Sequence, residues 1–105
     1  MIALMNTALL TAYGSYHYEA VTLEEVKALL QAGFTSYIGH VATARVLSEE
    51  LGLAVAHHRG TFLQQREDVV IVVKLNITRL PEGAILDEAE IRRIGYEFGM
   101  LRRLL

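Results

Sequence analysis

The sequence predicts a single α/β domain with a small mixed β-sheet and flanking helices. Strand-like apolar or alternating runs interleave with helix-period runs that begin at capping residues and end at glycines, an order typical of this fold class. The 105 residues contain no internal repeat, low-complexity tract or linker, and Pro81 is the only proline. A chain of this length forms one domain and leaves no room for a separate binding module.

The chain opens with a short apolar run, Ile2 to Met5, that predicts a buried strand. We expect Asn6 and Thr7, which follow it directly, to face a site at the end of this strand. The segment Tyr13 to Tyr18 begins with turn residues and continues with alternation, so it predicts a loop that leads into an edge strand.

Two helices are predicted in the next part of the chain. A capping box opens the first at Thr22, and Gly33 closes it. Phe34 to Ile38 predicts a brief extended segment that leads through a glycine into the second helix, from about His40 to Leu51, which Gly52 ends. The second helix carries one apolar face, so it packs on a core.

The segments Gly60 to Gln65 and Val69 to Ile77 flank Arg66-Glu67-Asp68 and predict a β-hairpin. The second arm is almost continuously apolar, which is typical of a central strand. This pattern places both arms in the sheet.

The last part of the chain predicts a short helix and an ambiguous tail. Asp87 can cap a helix with Glu90 at its third position, and Gly95 stops it. The apolar spacing in Tyr96 to Leu105 fits either a last strand or a helical end.

Composition limits the partners and the chemistry. The 52% hydrophobic content is high for a small monomer, so we expect a homodimer. The net charge of −2 indicates no binding to long DNA or RNA, because such binding needs many cationic side chains, but a small oligonucleotide remains compatible with it.

No apolar run approaches the roughly 20 residues that span a bilayer, and the first residues lack the pattern of a signal peptide. We therefore expect a cytoplasmic protein without membrane contact. The chain has no cysteine, which excludes disulfides, thiolate zinc sites and thiol nucleophiles. The aspartates and most glutamates fall at predicted turns, caps or surfaces, so we expect neither a metal nor another cofactor.

The segment around Gly39 and His40 is the strongest candidate for function. The first turn of a helix presents unpaired backbone N–H groups and the positive end of the helix dipole, which together favour a bound phosphate. A histidine at this position could transfer a proton to or from such an anion. The alternative is that His40 only caps the helix or fills a pocket.

A second cluster, Thr78 to Gly83, contains Arg79 and Glu82 at a rigid turn after the predicted central strand. A guanidinium there could hold two phosphate oxygens, and the carboxylate could orient it or accept a hydrogen bond from a ribose or adenine. The alternative is a surface salt bridge. The adjacent His57 and His58 point to opposite sides of an extended chain and therefore predict a solvated loop, not a shared metal site.

Ile38-Gly39-His40, with Thr43 one helical turn later and then Arg79-Leu80-x-Glu82-Gly83, resembles the viral ring nuclease family, and the resemblance runs from Leu4 to Leu101. That family occurs in archaeal viruses, phages and some bacteria. It acts as an anti-CRISPR by degrading cyclic tetra-adenylate, the second messenger of type III CRISPR systems. The resemblance implies a mixed sheet with packed helices, assembled as a two-fold homodimer.

The resemblance also implies a metal-independent nuclease mechanism. The 2′-hydroxyl attacks the phosphorus, His40 protonates the departing 5′-oxygen, and the ring becomes two linear di-adenylates with 2′,3′-cyclic phosphate ends. Thr43 either faces the ligand or bonds to its own backbone. The implied ligand contacts are Gly39, Arg59, Arg79, Glu82, Asn6, Thr43 and either Thr7 or Thr11.

Two other functions fit the same sequence. A non-catalytic protein could sequester a cyclic nucleotide at the same helix N-terminus. A structural or regulatory dimer could instead use its apolar excess for a protein partner, with the histidine merely packed.

Overall fold

A computed structural model describes residues 1–7, 10, 12–76 and 86–105 of the chain. Within these ranges, five strands and three helices follow one another as β1 (Ile2–Met5), β2 (Tyr16–Val21), α1 (Leu23–Leu30), β3 (Thr35–Tyr37), α2 (Val41–Leu51), β4 (Val69–Leu75), α3 (Glu88–Ile94) and β5 (Tyr96–Arg103). The strands form one mixed sheet, as the sequence predicts. The predicted fold class is therefore confirmed.

The sheet combines a parallel half with an antiparallel half. Its strand order is β2-β5-β4-β1-β3. Strand β1 is parallel to both β3 and β4, whereas β5 is antiparallel to β4 and to β2. The apolar strand β4 lies at the centre, because only a strand covered on both faces accepts an almost unbroken hydrophobic run.

The two faces of the sheet carry cores of different size. The larger core fills the space between the sheet and the helices, and its most buried large side chains include Leu4, Leu30, Ile38, Leu47 and Ile71. The smaller core lies on the other face and consists of Ala3, Phe62, Val70, Val72 and Leu101. Alternate residues of β4 thus serve opposite cores, as the two-residue period of a strand requires.

The helix boundaries follow from their caps. The Thr22 hydroxyl accepts a hydrogen bond from the Glu25 amide at 3.1 Å, and the Glu25 carboxylate accepts one from the Thr22 amide at 3.2 Å. Asp87 and Glu90 form the same reciprocal pair at the start of α3. Gly52 ends α2 at a φ of +66°, a left-handed conformation that glycine adopts without steric cost.

The predicted hairpin is wrong in its first arm. The segment 60–65 is not a strand, because both edges of β4 are already occupied by β1 and β5. The segment instead crosses the smaller core, where Phe62 is buried and the Gln64 side-chain amide donates a hydrogen bond to the Leu101 carbonyl at 2.9 Å. The ambiguous tail is strand β5, which pairs with β2 and β4.

The predicted edge strand β2 is held against β5 by an aromatic ring on a glycine. Tyr18 lies over Gly99, and a Cβ atom added to Gly99 would overlap the Tyr18 ring. A glycine in a strand gives a neighbouring ring this close approach to the backbone. The contact explains why β5 contains a glycine between buried residues.

Candidate functional site

The carboxyl ends of three parallel strands meet at one edge of the sheet. Strands β3, β1 and β4 run in the same direction and therefore end together, at Tyr37, Met5 and Leu75. Open α/β sheets bind ligands outside the carboxyl ends of their parallel strands. Helix α2 begins at this edge, directly after β3, so the predicted Gly39-His40 segment lies where the fold favours a site.

His40 is the N-cap of α2, but its side chain does not cap the helix. Its backbone is extended, with φ of −127° and ψ of 126°, and its carbonyl accepts the first helical hydrogen bond from the Ala44 amide at 3.0 Å. The imidazole makes no capping hydrogen bond, and the residue is exposed. The alternative that His40 serves as a side-chain cap is therefore wrong.

The N-terminus of α2 differs from those of the other two helices. Helices α1 and α3 each have a capping box and two acidic residues in their first turn. Helix α2 has neither a side-chain cap nor an acidic residue there. The first-turn N–H groups and the positive end of the dipole are therefore not compensated by side chains of α2, which is the condition that favours a bound anion.

The peptide before His40 is held in a defined orientation. The Gly39 carbonyl accepts hydrogen bonds from His57 Nε2 at 3.2 Å and from Arg59 Nε at 3.1 Å. Since a carbonyl only accepts, His57 carries a proton on Nε2. A trans peptide directs its N–H opposite to its C=O, so the His40 amide points away from His57 and Arg59.

The predicted solvated loop at 57–58 is more ordered than expected. It runs beside β3, and the His58 amide donates a hydrogen bond to the Ile38 carbonyl at 2.9 Å. The His58 ring stacks on Tyr37 with centroids 5.2 Å apart, while His57 turns toward Gly39. The adjacent histidines thus point to opposite sides, as predicted.

A cavity of about 630 Å³ opens at this edge between the N-termini of α2 and α3. This volume falls in the range of sites for small ligands, roughly 300 to 1,000 Å³. Apolar side chains share its wall with several polar and charged ones. The lining residues are Gly39, His40, Val41, Ala42, Thr43, Arg45, His57, Arg59, Leu75, Leu86, Asp87, Glu88 and Ile91.

The structure brings four of the predicted site residues together in this cavity: Gly39, His40, Thr43 and Arg59. Thr43 is mostly buried, with 6% of its surface exposed, and yet it reaches the cavity wall. The segments that carry these residues are separated by fifteen or more positions in sequence but join where the chain 57–59 runs beside β3.

The remaining predicted contacts are placed differently. Asn6 and Thr7 follow β1 at the same edge of the sheet, but they are not among the residues that line the cavity. Arg79, Glu82 and Thr11 lie outside the described residues, so their predicted contacts stay predictions.

Four cavity residues were not predicted as ligand contacts: Arg45, His57, Asp87 and Glu88. Arg45 lies four residues after Val41 on α2, so helical periodicity places both on one side of the helix. No comparable sequence pattern relates α3 to α2, because two helices distant in sequence meet only through the tertiary fold. Their packing is what carries Asp87 and Glu88 to the cavity.

Within the described ranges, no three histidine or acidic side chains are placed to hold a metal ion together. None of the described helices is both long and apolar enough to cross a membrane.

Comparison with known proteins supports a shared family and fold. Residues 2–98 match the family described as STIV B116-like. The chain is 34% identical over 106 residues to YddF of Bacillus subtilis (strain 168), covering 98% of this chain and 97% of that protein. It is 33% identical over 93 residues to ORF117 of Acidianus two-tailed virus, covering 85% and 79%.

The solved structure of B116 from Sulfolobus turreted icosahedral virus has the same fold. It superposes with a TM-score of 0.73 over 97% of this chain and 98% of B116, at 17% sequence identity. The family match covers nearly the whole chain and includes both walls of the cavity. The chain therefore belongs to the STIV B116-like family, which includes viral proteins.

Proposed function

We propose that this protein is a metal-independent ring nuclease that cleaves cyclic tetra-adenylate into linear di-adenylate with 2′,3′-cyclic phosphate ends. By removing this second messenger it would switch off or evade type III CRISPR defence. One observation carries the proposal: an exposed histidine stands at an uncompensated helix N-terminus on the wall of a ligand-sized cavity. The similarity to viral proteins fits an anti-CRISPR role.

The first task of the site is to hold a phosphate. The uncapped first turn of α2 offers N–H donors and a positive dipole end to one phosphate of the ring. Arg59 adds a positive charge from the neighbouring wall, where its Nε bond to Gly39 leaves the terminal guanidinium nitrogens available. These contacts would place the phosphorus next to His40.

The second task is to move one proton. The 2′-oxygen forms a new bond to phosphorus and loses its proton to solvent, while the bond from phosphorus to the 5′-oxygen breaks. Protonated His40 supplies the proton that the departing 5′-oxygen needs, a general-acid role. The negative phosphates of the bound ring stabilise the imidazolium form beside them. Positioning and charge stabilisation supply the rest of the rate enhancement.

The third task is to match the symmetry of the ring. A two-fold homodimer would place one His40 at each of two opposite phosphodiester linkages, so one ring would become two di-adenylates. Every contact would be doubled by symmetry, which lets few cationic side chains serve four phosphates. Arg79 and Glu82, by the family resemblance, would complete each half of the site.

The decisive experiment follows radiolabelled cyclic tetra-adenylate in EDTA by separating its products. We expect cleavage by the wild type, and we expect His40→Ala to slow it by at least about 100-fold, the contribution of a general acid. His17→Ala is the matched control, because His17 is an exposed histidine on β2 that pairs with Glu19 away from the cavity. Full activity in His40→Ala would refute the catalytic assignment, and tight binding without products would identify a sequestering protein instead.

A further inference from the structure

We propose that Arg45 is a further phosphate-binding residue of the cavity, and that Glu88 competes with the ligand for its guanidinium. This inference rests on the proposed function in one respect, namely that the ligand is a phosphate-rich oligonucleotide. It supplies a second cation on the cavity wall besides Arg59. It also identifies the carboxylate that limits affinity.

The position of Arg45 suits a phosphate bound at the start of α2. Side chains of an α-helix lean toward its N-terminus, so a guanidinium at Arg45 extends back toward the first turn. The residue lines the same cavity as His40 and Thr43, and 68% of its side chain is exposed. A ligand in the cavity can therefore reach it without moving the helix.

The interaction between Arg45 and Glu88 is easily exchanged. Arg45 Nη1 and Glu88 Oε2 are 3.9 Å apart, which is too long for a hydrogen bond. Exposed ion pairs of this kind are weak because water screens them. A phosphate that forms two short, charge-assisted hydrogen bonds with the guanidinium would replace Glu88.

Glu88 differs from the other carboxylate on the cavity wall. Asp87 Oδ1 accepts a hydrogen bond from the Glu90 amide at 2.8 Å and is committed to capping α3. The Glu88 carboxylate has no such capping role, and among the described residues its ion-pair partner is Arg45. Once a phosphate takes Arg45, Glu88 is left as an uncompensated negative charge near a polyanion, which weakens binding.

The test measures binding of the 2′-deoxy analogue of cyclic tetra-adenylate, which lacks the attacking hydroxyl and so cannot be cleaved by this route. Calorimetric titrations over a range of salt concentrations compare the wild type with single variants. We expect Arg45→Gln to raise Kd about tenfold and to flatten the dependence of log Kd on log salt by roughly 0.7, the loss of one phosphate contact. We expect Glu88→Gln to lower Kd about threefold by removing a repulsive charge.

Two further variants separate this role from a structural one. Arg45→Lys keeps the charge and should retain most of the salt dependence, whereas Arg66→Gln removes an exposed arginine that does not line the cavity and should change nothing. Circular dichroism checks that each variant is folded. A structural effect of Arg45 would lower stability without changing the salt dependence of binding.

The outcomes distinguish this inference from the proposed function. Unchanged affinity and salt dependence in Arg45→Gln overturn the role of Arg45, even if the wild type cleaves the ribose ring. Binding of the analogue with the expected variant effects supports it, even if the ribose ring is left uncut and the nuclease proposal fails. Weaker binding by Glu88→Gln overturns the competition, and a wild type that binds neither ring overturns both proposals.

Discussion

Two glycines show how differently the same residue type is constrained. A Cβ atom on Gly99 would overlap the Tyr18 ring, whereas the nearest atom to a Cβ on Gly39 is Arg59 Cγ at 3.6 Å, an ordinary contact. Gly99 is therefore required by packing within the protein. Gly39 is not required by packing against the described residues, which leaves room for a ligand near its backbone.

These contacts predict opposite effects of two alanine substitutions on the free energy of unfolding. Gly99→Ala should destabilise the protein by about 1 to 3 kcal/mol because the Tyr18 ring must leave its place. Gly39→Ala should change stability by less than about 1 kcal/mol. Urea denaturation followed by circular dichroism measures both. In a Tyr18→Ala background the effect of Gly99→Ala should disappear, and a persistent loss would show that the ring is not its cause.

At the scale of elements, α2 departs from the pattern of α1 and α3 by lacking acidic residues in its first turn. An acid placed there would compensate the dipole. Ala42 lies in that turn and on the cavity wall, so it is the natural position for the change.

We predict that Ala42→Asp stabilises the protein by about 0.3 to 1 kcal/mol relative to Ala42→Asn, through the dipole of α2. The same charge should weaken binding of cyclic tetra-adenylate, because it occupies the electrostatic position of a phosphate. Thermal unfolding and calorimetric titration of the two variants measure the two effects. Equal affinities of the Asp and Asn variants would show that the ligand does not bind at this helix N-terminus.

The elements that the sequence predicts well are those with local signals. The capping boxes at Thr22 and Asp87 and the apolar run of β1 each depend on neighbours within a few residues, and all three are confirmed. The hairpin arm at 60–65 is wrong because strand pairing is decided by which strands already occupy the edges of β4, and no local pattern records that.

The site divides in the same way. Gly39 and His40 are found from sequence because a helix start is a local pattern, and the structure places them in the cavity. The juxtaposition of Arg45 with Glu88 depends on how α3 packs against α2, which periodicity cannot provide. The same limit applies to His57, which reaches Gly39 only because the chain 57–59 runs beside β3.

At the scale of the whole molecule, the larger core is closed at its periphery by Tyr96, which meets Phe98 edge to face with ring centroids 5.6 Å apart. Burial raises the pKa of the Tyr96 hydroxyl above its ordinary value of 10.0, and the nearby Glu50 carboxylate raises it further, while Arg92 acts in the opposite direction. The folded protein thus favours the neutral phenol.

This raised pKa predicts an alkaline loss of stability. The unfolded chain releases the Tyr96 proton at a lower pH than the folded chain does, so the stabilisation is complete below the ordinary value of 10.0 and is lost as pH rises through the folded pKa. Tyr96→Phe should therefore lose less unfolding free energy above this pH than the wild type in denaturant titrations. Tyr13→Phe is the control, since Tyr13 is fully exposed and should match the wild type. Identical curves for all three proteins would refute the role of Tyr96.

The ring of Tyr18 also fixes the alignment of an exposed border of the molecule. Strand β2 has a neighbour on one side only, and a shift by one residue would turn its side chains to the opposite face. Such a slip would move the ring from the notch at Gly99 onto a position that bears a side chain. Strand β2 is thereby locked in one alignment, which disfavours the misaligned ladders through which unprotected borders recruit other chains into aggregates.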